Sequence, residues 1–249
     1  MNTSCSPSIE HLPVLLEADF LFAPHDDPVH LASLPARLEQ SDVFIPETGP
    51  VFDGMPQVYQ SISGGDRKAF EAEVKRLRQF DGWEGPVFLL EQIHNSNRSI
   101  AIIDLSSRSP LWRRIALGAV ALQRPGMSDE QFVEAHVGFG RLQRKREDRM
   151  LESLAPAIER STQERADLAQ KPVIKALFTL GTLHTRIYHH LYRELGAEHV
   201  SRTFDGGEIP IELSLIRRGV FNLATSTQDA YDDIARRENY DQKSHVRKH

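Results

Sequence analysis

The sequence predicts a single-domain α/β protein with a mostly parallel or mixed central sheet flanked by helices. Short apolar runs bounded by Pro, Gly or Asp alternate along the chain with segments whose apolar residues recur at helical spacing. Such alternation is typical of α/β layer folds. The 249 residues, 40% of them hydrophobic, are enough to bury the core of one large domain. We predict a flexible N-terminus over 1–12, one domain over 13–240 and a disordered basic tail over 241–249.

The predicted strands are β-prone apolar runs that end at a residue with turn or loop chemistry. The first run ends at Pro24, the second at Pro46 and the strongest, PVIKALFTL, at Gly181. The predicted strands cover 18–23, 43–45, 87–91, 99–104, 172–180 and 199–204. A polar HNSNR loop separates the third from the fourth, which suggests a hairpin there.

The predicted helices follow from apolar spacing and from capping residues. Asp66 is a suitable N-cap, and Ser128 precedes two acidic residues that favour a helix start. The predicted helices cover 31–40, 66–80, 110–122, 128 to about 155, 161–171, 186–195 and 227–237. Between them, the Gly- and Pro-rich stretches 47–56 and 81–86 are predicted to be loops and turns.

Composition excludes several classes of partner. The formal charge is −5 and the pI is about 6.1, which argues against nucleic acid and acidic membranes as whole-chain partners. Cys5 is the single cysteine, so no intramolecular disulfide forms, and a reducing compartment is expected. No secretory signal pattern and no apolar run near the roughly 20 residues of a membrane helix are present. We therefore predict a cytoplasmic protein.

Candidate functional residues follow three predicted strands. His25 and His30 follow the first, Glu47 follows the second, and Gly181 with His184 follows the strand at 172–180. Ligands of parallel sheets bind beyond the carboxyl ends of the strands. Imidazole and carboxylate groups suit a divalent transition metal such as Mn, Co, Zn or Fe, and we predict His25, Glu47 and His184 as its ligands. The alternative is that these side chains cap turns or are simply solvated.

A basic stretch, RLQRKREDR at 141–149, supplies a candidate for charge stabilisation. Arginine forks bind carboxylate and phosphate groups, so Arg146 or Arg149 is expected to point into the site. The alternative is a solvated helix face with internal ion pairs such as Arg144 with Asp148. This stretch is the one basis for a nucleic-acid role, and the acidic net charge argues against that role.

The order of these motifs resembles the superfamily that groups TraB/PrgY-type, Tiki-type, erythromycin-esterase-type and ChaN-type proteins. The matching segments are LFAPHDDPVHLASL, DVFIPE, RKREDRMLESL and ALFTLGTLHTRIYHHL, in which Gly181 and His184 fit the GxxH motif of the family. The first motif departs from the pattern, with Phe22 in place of the expected Gly and Pro24 in place of the Glu that precedes the His. The resemblance covers roughly residues 18–195.

The resemblance implies an α/β fold whose His and Glu positions converge in one cleft. Tiki-like members are metal-dependent proteases, esterase-like members activate water with a His and a Glu, and ChaN-like members bind haem. Our first hypothesis is a hydrolase of a small-molecule or peptide substrate. In that hypothesis, Glu47 is a base or metal ligand, His184 a base or ligand, and Arg149 stabilises developing negative charge.

Two other hypotheses remain open from the sequence. The first is a protein that binds haem or another small ligand without turnover, for which Tyr188, His189 and His190 are candidate ligands. The second is an inactive interaction protein of the same fold, which the departures in the first motif favour. Fold kinship alone does not choose among these three outcomes.

Overall fold

The protein has a five-stranded parallel sheet at its centre. The computed structural model describes residues 15–23, 28–181, 183–204, 215–216 and 220–221. The strand order is β3-β2-β4-β1-β5. The strands are β1 (Leu15–Phe22), β2 (Val43–Pro46), β3 (Ser99–Ile100), β4 (Val173–Leu180) and β5 (Val200–Phe204). The chain divides into two compact units, Met1–Ser106 with Asp148–Gly206, and Ser107–Glu147 with Gly207–His249. All five strands belong to the first unit.

Helices occupy most of the remaining described chain. They are α1 (Leu34–Gln40), α2 (Met55–Ser63), α3 (Arg67–Leu77), α4 (Glu84–Ser96), α5 (Pro110–Leu122), α6 (Asp129–Gln163), α7 (Ala166–Ala169) and α8 (Thr185–Leu195). No helix among the described residues is long and apolar enough to cross a membrane.

One face of the sheet carries an aromatic core. Phe20 and Phe22 of β1 and Phe178 of β4 are fully buried, and the rings of Phe20 and Phe178 stack with centroids 4.4 Å apart. Tyr188 of α8 packs edge-on against Phe20 at 5.5 Å. These residues share a buried cluster with side chains from the second half of α6. Alternate residues of the central strands therefore fix where α8 packs.

The opposite face of the sheet packs against the earlier helices. Leu21, Phe44 and Leu177 are buried together with apolar residues of α1, α2 and α4. Both faces of the strands are covered over residues 20–22 of β1 and 176–180 of β4, and all of these residues except Thr179 are apolar, as is usual for central strands of parallel sheets. The apolar residues in the second half of PVIKALFTL follow from this requirement.

The α/β fold with a parallel central sheet flanked by helices, as predicted, is confirmed. The strands predicted at 18–23, 43–45, 172–180 and 199–204 correspond to β1, β2, β4 and β5, and the strand predicted at 99–104 is reduced to the two residues of β3. Asp66 caps α3 as expected, since its side chain accepts a hydrogen bond of 3.0 Å from the Ala69 N–H. The predicted start of α6 is also confirmed, because Ser128 and Gln131 form a reciprocal capping box.

The strand predicted at 87–91 is wrong, because these residues belong to helix α4. Val87, Leu90 and Ile93 are buried at intervals of three residues, which is helical periodicity. A run of four apolar residues fits a strand and a buried helix equally well. The predicted hairpin loop around His94 is also wrong, because His94 lies in the last turn of α4. Its Nδ1 lies 3.1 Å from the Ile62 carbonyl oxygen, and its ring stacks on the Phe70 ring.

Helix α2 lies in a stretch predicted to be a loop. Gly54 precedes the helix with a φ of +81°, and Pro56 lies in its first turn, where a missing N–H costs no hydrogen bond. Met55, Tyr59 and Ile62 are its buried face. The Gly and Pro residues that indicated a loop therefore mark the beginning of a helix.

Helix α6 is longer than predicted and continues through Pro156 to Gln163. The segment predicted as a helix over 161–171 holds the end of α6 and the short α7. The domain bounds 13–240 stay a prediction. The predicted N-terminal segment 1–12, the helix over 227–237 and the tail over 241–249 lie outside the described residues.

The second unit contains α5 and the first half of α6. The Ser109 side chain caps α5 by accepting a hydrogen bond of 3.2 Å from the Leu111 N–H. Gly118 lies against α6, and a Cβ at this position would stand 3.0 Å from the Phe139 ring. The absence of a side chain at Gly118 therefore allows the two helices to approach each other closely.

The aromatic core predicts a large cost for truncating its central ring. We expect Phe178→Ala to lower the free energy of unfolding by about 3–5 kcal/mol, because it removes buried apolar area and leaves a cavity between β1 and β4. Denaturant unfolding measures this cost. The matched control is Phe80→Ala, at a ring that is 57% exposed, with an expected cost of about 1 kcal/mol or less. Equal costs for the two variants would contradict this assignment of the core.

Candidate active site

The carboxyl ends of β2 and β4 form the topological switch point of the sheet. These two strands are neighbours, and Pro46 pairs with Thr179 at their last shared position. From β2 the chain goes on to β3 at one edge of the sheet, and from β4 it goes on to β5 at the opposite edge. The connections therefore diverge above the two strands, which is where ligands bind in open parallel sheets.

Glu47 is the first residue after β2 and lies at this point. Its backbone N–H donates a hydrogen bond of 2.8 Å to the Thr179 carbonyl oxygen, which extends the pairing of β2 with β4 by one residue. Its carboxylate accepts a hydrogen bond of 2.6 Å from the Gly181 N–H at Oε2. The side chain is 16% exposed. Glu47 is therefore held through both its backbone and its side chain.

His184 lies beside the other oxygen of this carboxylate. The distance from its Nε2 to Glu47 Oε1 is 3.0 Å, and its side chain is only 2% exposed. Its backbone N–H donates to the Gly181 carbonyl oxygen at 2.9 Å, and its own carbonyl oxygen accepts from the Ile187 N–H at 3.2 Å. His184 thus closes the turn after β4 and begins α8.

The geometry gives each group a defined role in hydrogen bonding. An ionised carboxylate only accepts hydrogen bonds, so the ring proton between the two groups belongs to Nε2 of His184. In the neutral imidazole, the lone pair is then on Nδ1. The Nε2–H of His184 therefore donates to Oε1 and holds the carboxylate in place. We call these two residues the Glu47–His184 pair.

The pair contains two of the three predicted metal ligands. Their carboxylate oxygen and imidazole nitrogen are ligand types that suit Zn and related ions, and a metal bound there would supply an activated water. His25, the third predicted ligand, lies outside the described residues. Among the residues that are described, no group of three or more His, Cys, Asp or Glu side chains could hold a metal ion. The metal site therefore stays a prediction.

Arg149 has a surface position on α6. Its side chain is 63% exposed and forms an ion pair of 2.5 Å with Glu152, three residues further along the same helix. This contact agrees with the alternative of a solvated helix face. In the second unit, Arg146 is buried and lies over the Trp112 ring at 5.4 Å. The catalytic role of Arg149 stays a prediction.

Two residues near the pair were not singled out from the sequence. Arg186, in the first turn of α8, forms an ion pair of 2.5 Å with Asp148 and is mostly buried. Thr179, whose carbonyl binds Glu47, is fully buried, and its hydroxyl has no hydrogen-bond partner among the described residues. The sequence signal that could have identified them is their spacing from the predicted site: Arg186 lies two residues after His184, and Thr179 lies two residues before Gly181.

The residues proposed as haem ligands lie on α8 and have packing contacts. Tyr188 is buried against Phe20, and the Arg202 guanidinium lies 4.5 Å from the centre of its ring. His190 is buried as well. Partial burial, followed by the charges of Arg202 and Arg193, lowers the pKa of His189 below its ordinary value, which favours the neutral imidazole.

Comparisons of this chain with protein-family models, with curated proteins and with solved structures found no match. The resemblance to the TraB/PrgY, Tiki, erythromycin-esterase and ChaN-like superfamily therefore stays a prediction. The geometry of the Glu47–His184 pair does not depend on that resemblance.

The buried hydroxyl of Thr179 leads to a prediction about stability. We expect Thr179→Val to raise the free energy of unfolding by about 1 kcal/mol, because it replaces an unsatisfied buried hydroxyl with a methyl group of similar shape. Thermal and denaturant unfolding measure the change. The matched control is Thr162→Val. The Thr162 hydroxyl donates a hydrogen bond of 2.8 Å to the Glu159 carbonyl oxygen, so its loss should destabilise the protein. A loss of stability in both variants would show that the Thr179 hydroxyl has a partner.

Proposed function

We propose that this protein is a His/Glu-dependent hydrolase that acts on a small-molecule or peptide substrate at the carboxyl ends of β2 and β4. The observation that supports this proposal is the 3.0 Å contact between Glu47 and His184 at the topological switch point. A carboxylate and an imidazole within hydrogen-bonding distance are the groups that general acid–base catalysis uses most often.

Glu47 is the general base in this proposal. Its side chain is more exposed than that of His184, so it is the member of the pair that meets water and substrate. The Gly181 N–H holds Oε2 at 2.6 Å and fixes the orientation of the carboxylate. A carboxylate has about four acceptor positions, so Glu47 can accept a proton from water while it keeps these hydrogen bonds. The water oxygen then attacks the carbonyl carbon of the substrate.

His184 orients the general base through its hydrogen bond to Glu47 Oε1. Its Nε2 contacts the carboxylate that has just accepted the proton, and its backbone is fixed by the turn at Gly181. The leaving group of an ester or amide departs with a proton, and Glu47 returns to it the proton that it took from water. Burial of His184 keeps bulk water from competing for its hydrogen bond to Glu47. Hydrolysis then restores both groups to their starting protonation states.

The experiment is a hydrolysis assay of the full chain on a panel of nitrophenyl esters and peptide anilides. We expect Glu47→Gln to lower kcat by about 10²–10⁴-fold, which is the usual contribution of a general base. We expect His184→Asn to lower kcat by at least about tenfold, because Glu47 then loses the hydrogen bond that orients it. A second pair provides matched controls: Glu198 and His199 lie 3.9 Å apart, and Glu198 is largely exposed. Glu198→Gln and His199→Asn should leave kcat unchanged.

Further arms of the assay test the metal and Arg149. The metal-dependent form of the hydrolase would be supported by two results together. Chelation would abolish the activity and Mn, Co, Zn or Fe would restore it, and the His184→Asn variant would lose its bound metal. Arg149→Gln should leave kcat within about twofold, because its side chain is exposed and pairs with Glu152. Folded protein that hydrolyses no member of the panel, or whose rate Glu47→Gln leaves unchanged, would overturn the proposal. Stoichiometric haem binding in place of turnover would also overturn it.

A further inference from the structure

A cavity of about 230 Å³ lies at the β3 edge of the sheet, between α2 and the end of α6. It shares no residue with the Glu47–His184 pair. Its lining residues are Pro56, Gln57, Gln60, Ile100, Ala101, Ile102, Ala157, Arg160, Ser161 and Glu164. The volume is below the roughly 300 Å³ that begins the range for drug-sized ligands. The cavity therefore suits a small molecule.

Hydrogen bonds hold the walls of this cavity in place. Gln60 of α2 accepts a hydrogen bond of 2.9 Å from the Ile100 N–H through its Oε1, which leaves its amide nitrogen as a donor. On the other side, the Ser161 carbonyl oxygen of α6 accepts a hydrogen bond of 3.2 Å from the Ser99 hydroxyl. Both helices are thus tied to β3, and the cavity does not depend on a mobile wall.

The rim of the cavity carries one positive and one negative side chain. Arg160 lies in the last turn of α6, and Glu164 is the first residue after this helix. The Glu164 N–H donates a hydrogen bond of 3.0 Å to the Arg160 carbonyl oxygen. Both side chains are exposed, and neither forms an ion pair within the described chain, although many exposed charges on this protein do. Residues four apart in a helical turn have Cβ atoms about 5–6 Å apart, so the two charges can act on neighbouring atoms of one molecule. Ile100, Ile102 and Ala157 supply an apolar wall behind them.

We propose that this cavity binds a free α-amino acid with an apolar side chain. The Arg160 guanidinium contacts the carboxylate, because its planar fork matches two carboxylate oxygens. The Glu164 carboxylate contacts the ammonium group, and the amide of Gln60 donates to the ligand. The apolar side chain of the amino acid packs against Ile100 and Ile102. The combination of both charges and an apolar wall distinguishes this ligand from a simple anion or amine.

Isothermal titration calorimetry of the full chain with L-leucine tests the proposal. Two analogues each lack one charge: 4-methylpentanoate lacks the ammonium group, and isoamylamine lacks the carboxylate. With concentrations up to about 10 mM, the titration detects Kd values in the millimolar range. We expect L-leucine to bind with a stoichiometry of one and each analogue to bind at least about tenfold more weakly, because each loses a charged hydrogen bond.

Four variants test whether L-leucine occupies this cavity. Arg160→Gln and Glu164→Gln should each raise the Kd for L-leucine at least about tenfold, and Gln57→Trp should abolish binding by filling the mouth of the cavity at an exposed position. The matched control, Glu159→Gln, removes the same charge from α6 outside the cavity and should leave the Kd unchanged. No binding of L-leucine to the wild-type chain, equal binding of the analogues, or binding that survives Gln57→Trp would overturn the proposal.

Discussion

The pairing of β2 with β4 is the constraint on which the site depends. Because the two strands are parallel and in register to their last shared position, the chain leaves both at the same height, at Pro46 and Thr179. The Glu47 N–H continues the ladder beyond Pro46, and its carboxylate then bonds back to the Gly181 N–H. A single residue thus joins the two central strands above the sheet. The position of His184 follows from this, since the turn that brings it to Glu47 begins at Gly181.

This arrangement also explains why the pair tolerates burial. A buried polar group is costly unless it is hydrogen-bonded, and the carboxylate and imidazole satisfy each other. The aromatic core beneath supports the same elements: Phe178 of β4 stacks on Phe20, and Tyr188 of α8 packs against that ring. Packing on one side and hydrogen bonds on the other therefore hold α8, and His184 at its start, in one place. A positioned pair of this kind loses little entropy when a substrate binds.

Sequence patterns predicted those parts of the fold that local chemistry determines. The apolar run of β4, the cap at Asp66 and the N-terminal signal at Ser128 depend on neighbouring residues, and each prediction is confirmed. Helix α4 was mistaken for a strand because its burial against α1, α2 and the sheet makes several consecutive residues apolar. For the site, the rule for strand ends brought Glu47 and His184 together correctly. The surface position of Arg149 and the ion pair of Arg186 depend on the rotation of α6 and α8, which spacing alone does not determine.

The strand order has a consequence for how the chain folds during synthesis. β1 pairs only with β4 and β5 in the described sheet, so Leu15 meets its partner Val173 after most of the chain has been made. β2 likewise shares its longer pairing with β4. As the ribosome extends the chain, β1 therefore has no strand partner, and β2 has only its two-residue pairing with β3, until β4 emerges. Parallel sheets that depend on such distant pairing fold slowly and expose aggregation-prone edges. The strand that leads to Gly181 and His184 is thus also the one whose arrival joins β1 to β2.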